Sequence, residues 1–406
     1  MDACGLIVEY NPFHNGHLHH LTEAKKHSNA PCMIAVMSGN FLQRGEPAII
    51  DKFHRAKAAL ASGVDIVLEL PFLYAVQSSD LFAKGAVQTL NEIGVSSICF
   101  GSESGTTSNF ITSYEILKEK GSTFKEVLRK NLHNGLSFPE ASKLAYEKIG
   151  LTNSEMDLSQ PNNILGFSYI KEILDHSLNI NAFTVKRTKS GYHDQKISGS
   201  IASATSIRKQ LINDGSITNE SLSTFSDHTR KQLASYYDKT DVWHNWEHYF
   251  SLLQYRVLTM DYSELAAIHG VDEGLEYRIK KTAKKSKSIN EWIDAIKTKR
   301  YTWTRIQRIF VHLLTNTKKE HVEFIKKSNS VPYVRVLGMT EQGQAYLNKQ
   351  KKVMKVPIIS QLSDHNSQLL KSEEQSSNAY YSILGTFIRK QMVDQELSPP
   401  IRLIEN

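Results

Sequence analysis

The chain has 406 residues, 40% of them hydrophobic and 22% charged, with a formal net charge of +7. That length predicts two domains, and the composition excludes a disordered chain, a collagen-like fibre and a small disulfide scaffold. No apolar run approaches the roughly 20 residues that cross a bilayer, and the N-terminus lacks the pattern of a signal peptide, so a cytoplasmic protein without a membrane partner is expected.

Residues 3–9 form a short apolar run and 17–27 read as helix; 32–37 with 51–62, and 66–70 with 80–93, repeat the alternation. A fourth run, 97–100, ends at Gly101; helices follow over 108–149 and 162–176, then a last strand at 182–187 and a helix at 206–213. Near-continuous hydrophobic strands spaced by amphipathic helices predict an α/β domain with a doubly wound parallel sheet, covered on both faces. Cys4, Cys32 and Cys99 lie in or beside these runs and read as buried small hydrophobes, not as a redox pair or zinc ligands. Beyond residue 222 the patterns at 246–260, 290–296, 304–316 and 378–392 are helical, with breaks at 338–343 and Pro357 and a polar, serine-rich mobile loop at 361–377. The expected organisation is a catalytic domain over 1–215 followed by a mainly α-helical domain over 216–406.

Parallel sheets of this kind bind ligands beyond the carboxyl ends of their strands. No GxGxxG follows the first strand and no GxxxxGK[ST] occurs, so dinucleotide-oxidoreductase and P-loop readings lose their main support. Directly after that strand stands Tyr10-Asn11-Pro12-Phe13-His14-Asn15-Gly16-His17-Leu18. Gly16 lets phosphate approach the backbone, the helix start favours negative charge, and two imidazoles three residues apart can donate N–H to phosphate oxygens. A capping turn with surface histidines is the plain alternative. A metal reading of His14, His17 and His20 has no carboxylate or cysteine at ligand spacing. After the last strand, Ser203-Ala204-Thr205-Ser206-Ile207-Arg208-Lys209 offers hydroxyls and amides at a helix start followed by a guanidinium, a second anion site.

These two segments resemble the HxGH and ISSTxIR signatures of the nucleotidyltransferase superfamily, although Ala202-Ser203-Ala204-Thr205 replaces the usual opening of the second. GLIVEYNPFHNGHLHHL (5–21), SGNFLQRGEPAIIDKFHRAKAAL (38–60), GVDIVLELPFLYAVQSSDLFAKGAV (63–87), FGSE (100–103) and QPNNILGFSYIKEI (160–173) are similar to the bacterial tRNA(Met) cytidine acetate ligase family, and the likeness continues more weakly through the second half. The resemblance implies a Rossmann-like nucleotidyltransferase fold. It also implies an ATP-dependent ligase that makes acetyl-adenylate and acetylates N4 of the wobble cytidine of elongator tRNA(Met). His14 and His17 are assigned to the α- and β-phosphate oxygens, with Arg208 as a further catalytic cation and Lys209 beside it for the outgoing pyrophosphate. The ATP contacts implied are Ile7, Val8, Glu9, Tyr10, Asn11, Pro12, Phe13, His14, Asn15, Gly16, His17, Leu18, His19 and His20, then Gly101, Asn162, Arg187 and Thr188. Mg2+ is expected with ATP, but no ligand set is legible. Arg44 is a candidate for the acetate carboxylate, with an RNA-backbone contact or a surface charge as the competing reading; Lys52 and Arg55 follow on the next helix. Asp65, Glu69 and Glu103 are candidates for a base in acetyl transfer.

The charge is uneven: residues 1–210 carry 21 basic and 20 acidic side chains, whereas 211–406 carry 28 and 22. Eleven cations fall between Arg278 and Arg308, interleaved with Tyr277, Trp292, Tyr301 and Trp303. Lys280, Lys281, Lys284, Lys285, Arg300, Arg305 and Arg308 are therefore candidates for RNA contact, against a solvated helix face as the plain reading. His244-Asn245-Trp246-Glu247-His248 matches a zinc-peptidase HxxEH pattern, but outside the α/β domain and without a distal glutamate motif it is set aside. Two other functions compete: a nucleotidyltransferase with a small-molecule acceptor, and a non-catalytic RNA-binding protein.

Overall fold

The computed structural model describes residues 2–153, 155–187, 203–362 and 368–403. Their frame is an eight-stranded sheet in the order β5-β4-β1-β2-β3-β6-β7, with β8 beside β6. β1 (Ala3–Val8), β2 (Cys32–Ser38), β3 (Ile66–Leu70), β4 (Ser97–Ser102) and β5 (Asn181–Lys186) run parallel. Alternate residues of β2 divide between the two faces of the sheet. Met33, Ala35 and Met37 join Leu21, Ala24, Phe53 and Leu60 of helices α1 (Asn15–Ser28) and α2 (Lys52–Ala61). Ile34 and Val36 join Phe82, Ala86 and Phe167 from the helices Ser79–Glu92 and Pro161–Asp175. The doubly wound arrangement read from the alternating runs is therefore the observed one.

The half read as helical also contributes strands. β6 (Val334–Thr340) pairs antiparallel with β3, and β7 (Ile358–Ile359) and β8 (Ile401–Leu403) pair parallel with β6. Arg335 and Gly338 interrupt the apolar pattern of β6, and 338–343 consequently looked like a break. In the fold, the buried Arg335 guanidinium meets Glu69 of β3 at 2.7 Å and also Glu396, partners that no local pattern announces. The mobile loop expected at 361–377, of which 363–367 lie outside the described residues, is corrected over 368–377, where Gln368–Tyr381 is a helix with Ser372, Glu373, Ser376 and Ser377 buried. Its serines are small polar neighbours for buried charge, and composition alone cannot tell them from loop serines. The helices Phe250–Thr259, Ile289–Ile296 and Trp303–Leu314 pack around Trp292, which is fully buried and lies edge-on to Phe250 at 6.1 Å. Among the described residues, no helix is long and apolar enough to cross a membrane.

Candidate active site

α1 begins with an uncommon cap. His14 is the N-cap, its Nδ1 accepting from Gly16 N at 3.0 Å, while His17 Nδ1 accepts from His14 N at 3.3 Å. The two imidazoles thus form the reciprocal box that a hydroxyl and a carboxamide usually supply. The rings stack with centroids 3.9 Å apart. With each Nδ1 accepting, the proton of each neutral ring sits on Nε2. Burial, then the cations Arg187 and Arg208, hold His14 down to about 3. Burial, then His14, hold His17 well below its ordinary value. At neutral pH the tetrad is therefore a pair of uncharged N–H donors at a helix N-terminus. Beneath it, Tyr10, at φ 48, sets its ring edge-on to Phe13 at 4.6 Å and to His17 at 5.0 Å.

The second segment closes over the first. Ser203 caps the helix Ala204–Asp214 by accepting from Ser206 N at 3.1 Å. One turn on, Arg208 donates from NH1 to Asn11 O at 3.0 Å and sits 3.4 Å from Glu46. A guanidinium from residue 208 is thereby fixed against the loop that carries His14.

Between them lies a cleft of about 290 Å³ at the carboxyl ends of β1, β4 and β5. Of the residues expected there, Ile7, Val8, Glu9, His14, Gly16, His17, His19, His20, Gly101, Asn162, Arg187 and Arg208 line it, as does Arg44. Tyr10, Asn11, Pro12, Phe13, Asn15 and Leu18 do not line it and hold the loop instead. Asn11 Oδ1 accepts from Ile49 N at 2.8 Å, and Asn15 Nδ2 donates to Ser223 O at 2.9 Å. Thr188 lies outside the described residues. His20 Nε2 is buried without a hydrogen-bond partner and belongs to the cleft wall, a polar atom left for a ligand. Asn162 Nδ2 donates to Glu103 at 2.6 Å, and its Oδ1 accepts from Arg187 at 3.4 Å.

The carboxylates considered as bases are engaged elsewhere. Glu103 accepts from the amides of Asn162 and Asn163, Asp65 from Met33 N and Thr340, and Glu69 faces the buried Lys52 and Arg335. Glu9 and Glu46 are the carboxylates of the cleft wall among the described residues. Lys52 and Arg55 do not reach the cleft either: Lys52 is buried between Glu69 and Glu396, and Arg55 donates to the carbonyls of Glu9, Ser38, Gly39 and Ile50. The walls that sequence reasoning missed are Phe82, Phe100, Leu165 and Tyr169, which as apolar residues on amphipathic elements carry no signal that separates them from core.

The basic segment is less uniform than its composition. Arg300 pairs with Glu273, Arg305 lies 3.5 Å from Asp272, Arg308 donates to Gln77 O at 3.2 Å, and Lys280 donates to Met260 O. Lys281, Lys284 and Lys285 are exposed, with no acidic partner among the described residues. Trp292 and Tyr301 are buried, whereas Tyr277 is 58% exposed, so one of these interleaved aromatics offers an open face. His244 accepts or donates through both ring nitrogens to Tyr236 and Tyr249 at 2.6 Å and stacks on Tyr380, the arrangement of a core residue.

Residues 1–396 match the family model described as HIGH Nucleotidyl Transferase. The tRNA(Met) cytidine acetate ligase of Oceanobacillus iheyensis is 55% identical over 401 residues, covering 99% of this chain and 100% of that protein. The Bacillus subtilis protein of the same name is 42% identical, covering 100% and 98%. Among solved structures, apo TmcAL from Thermotoga maritima superposes with a TM-score of 0.90 at 33% identity, covering both chains fully. The same Thermotoga protein bound with alpha-thio ATP gives 0.88 at 34% identity, again over both whole chains.

Proposed function

The chain belongs to the HIGH nucleotidyl transferase family, among the tRNA(Met) cytidine acetate ligases, and on that premise we propose the following chemistry for its cleft. The protein is an ATP-dependent ligase that activates acetate and transfers the acetyl group to N4 of the wobble cytidine of elongator tRNA(Met). An acetate oxygen bonds to the α-phosphorus as the bond to pyrophosphate breaks. The cytidine amine then bonds to the acyl carbon, gives up a proton, and AMP departs with the electron pair of the acyl–oxygen bond.

The observation that carries this reading is the pair of stacked, neutral imidazoles at the start of α1, each with Nδ1 accepting a backbone N–H and both on the cleft wall. Charge develops on the phosphate oxygens during displacement, and fixed donors aimed there lower the barrier without reorganising. Arg208, fixed over the same loop and lining the cleft, neutralises the departing pyrophosphate; Lys209, the other candidate for it, does not line the cleft. Gly101, Asn162 and Arg187 complete the nucleotide site, and Arg44 in the same cleft holds the acetate carboxylate. Mg2+ would come with the triphosphate: Glu9 and Glu46 meet Gln43 N and Arg208, and among the described residues no cluster of His, Cys, Asp or Glu is placed to hold a metal ion. The second half, with exposed Lys281, Lys284 and Lys285, docks the RNA in the cytoplasm.

ATP–pyrophosphate exchange measured with and without acetate, followed by labelled-acetate transfer to total tRNA, tests the reading. Acetate-dependent exchange is expected, and His17→Ala lowers it by roughly 10²–10³-fold. Exchange with a different acceptor only would make the protein a small-molecule nucleotidyltransferase, and no exchange at all would leave an RNA-binding protein.

A further inference from the structure

The cleft wall carries two chemically different sets of side chains. One is polar and cationic, built from the α1 start, Asn162, Arg187 and Arg208. The other is apolar, and nothing in the phosphate chemistry uses it. Leu165 and Tyr169 stand one helical turn apart on Pro161–Asp175 and so share a face. Phe100 of β4 sets its ring edge-on to Tyr169 at 5.7 Å, and Phe82 comes from the helix Ser79–Glu92. Phe82, Phe100 and Tyr169 are 3–4% exposed, yet all belong to the cleft wall, so the surface they offer a ligand is small.

This corner cannot readily widen. A Cβ on Gly166 would lie 2.4 Å from Phe100 Cε2, which shows how closely the helix already presses on that ring. Glu9 and Gln43 border it: Gln43 N donates to Glu9 at 2.8 Å, and Gln43 Nε2 donates to Gln77 O at 2.7 Å. Both ends of Gln43 are thus committed, and the loop carrying Arg44 is fixed beside the apolar surface. A ligand fitting both features has an anionic head toward the cations and a very short alkyl tail. Phe82, Phe100 and Leu165 offer a purine's ring nitrogens and exocyclic amine no donor or acceptor, so only the Tyr169 hydroxyl and the bordering Glu9 and Gln43 are polar there.

We propose that Phe82, Phe100, Leu165 and Tyr169 seat the alkyl group of the activated acid, admitting the methyl of acetate and turning away longer carboxylic acids. The inference rests on the acid-activating reading above and adds what selects the acid. One methylene in an apolar pocket separates substrates by roughly 10–200-fold.

The test is ATP–pyrophosphate exchange with formate, acetate, propionate and butyrate. The native protein should favour acetate over propionate by at least about tenfold. Leu165→Ala, in a helix where alanine is well tolerated, should narrow that ratio by roughly tenfold, and Leu165→Phe should depress acetate use relative to formate. Butyrate used as well as acetate by the native protein would overturn the proposal without any variant. Variants that exchange but keep the native acid preference would also overturn it, as would a Leu165→Ala effect on the KM for ATP alone, which would mark the corner as the base pocket. If no acid supports exchange, the acid-activating reading itself fails and takes this one with it.

Discussion

Lys52→Met probes the charge cluster that joins the two halves of the chain. The Lys52 ammonium lies 2.8 and 2.9 Å from the Glu69 oxygens and 2.9 Å from Glu396, with its side chain 1% exposed. Arg335 bridges the same two carboxylates from β6. Burial tends to raise the Glu396 carboxyl, but Lys52 and then Arg335 pull it down to about 2. Burial and then Glu69 push the neighbouring Glu373 up to about 7. Two cations thus balance two carboxylates, with the Glu373 carboxyl pushed toward its neutral form at their edge. Methionine keeps the volume and removes one positive charge, leaving a buried carboxylate uncompensated. That costs about 3–5 kcal/mol, and proton uptake by Glu396 sets the upper limit. Urea unfolding at pH 7 should show this loss, and Lys52→Met/Glu396→Gln should restore part of it, a coupling of roughly 1–3 kcal/mol. A single-variant loss below about 1 kcal/mol, or a cycle that adds within about 0.5 kcal/mol, would refute the charge-balance account.

Burial holds His14, His20, His244 and His269 at about 3, 4, 3 and 4, whereas an unfolded imidazole titrates near 6.5. Between those values the unfolded chain binds more protons, so stability is complete above about pH 7 and falls as pH drops toward 4, by about 1.4 kcal/mol per unit for each ring. A thermal midpoint that stays flat from pH 6.5 to 4.5 would contradict this. Arg44→Ala should raise the KM for acetate by about tenfold or more, the scale of a lost charge-assisted contact; an unchanged value removes Arg44 from the acetate site. Replacing Lys281, Lys284 and Lys285 together by Ala should reduce the slope of log affinity for tRNA against log salt by about 2–3, and an unaltered slope in filter binding would place the RNA elsewhere.

The parallel strands and the histidine-bearing loop after the first of them were legible because both are local. A run such as Cys32–Ser38 declares a strand covered on both faces by its own residues, and His14-Asn15-Gly16-His17 stands where a strand meets a helix. The tautomers were not legible: they follow from each Nδ1 accepting a backbone N–H, which the folded loop decides. The apolar wall of the cleft was not legible: Phe82, Phe100, Leu165 and Tyr169 come from three elements, and each reads as ordinary core until the fold turns them to one cavity. The cations mislead in the same way. Lys52 and Arg55 look like crevice residues, yet one is consumed by carboxylates 17 and hundreds of positions away and the other by backbone carbonyls. Strand β6 was hidden because Arg335 makes its pattern polar until Glu69 and Glu396 neutralise it. Sequence sets propensity and motif over a few residues; whether a charge or a ring is buried, paired or exposed depends on contacts between segments far apart in the chain, and those exist only once the sheet has formed.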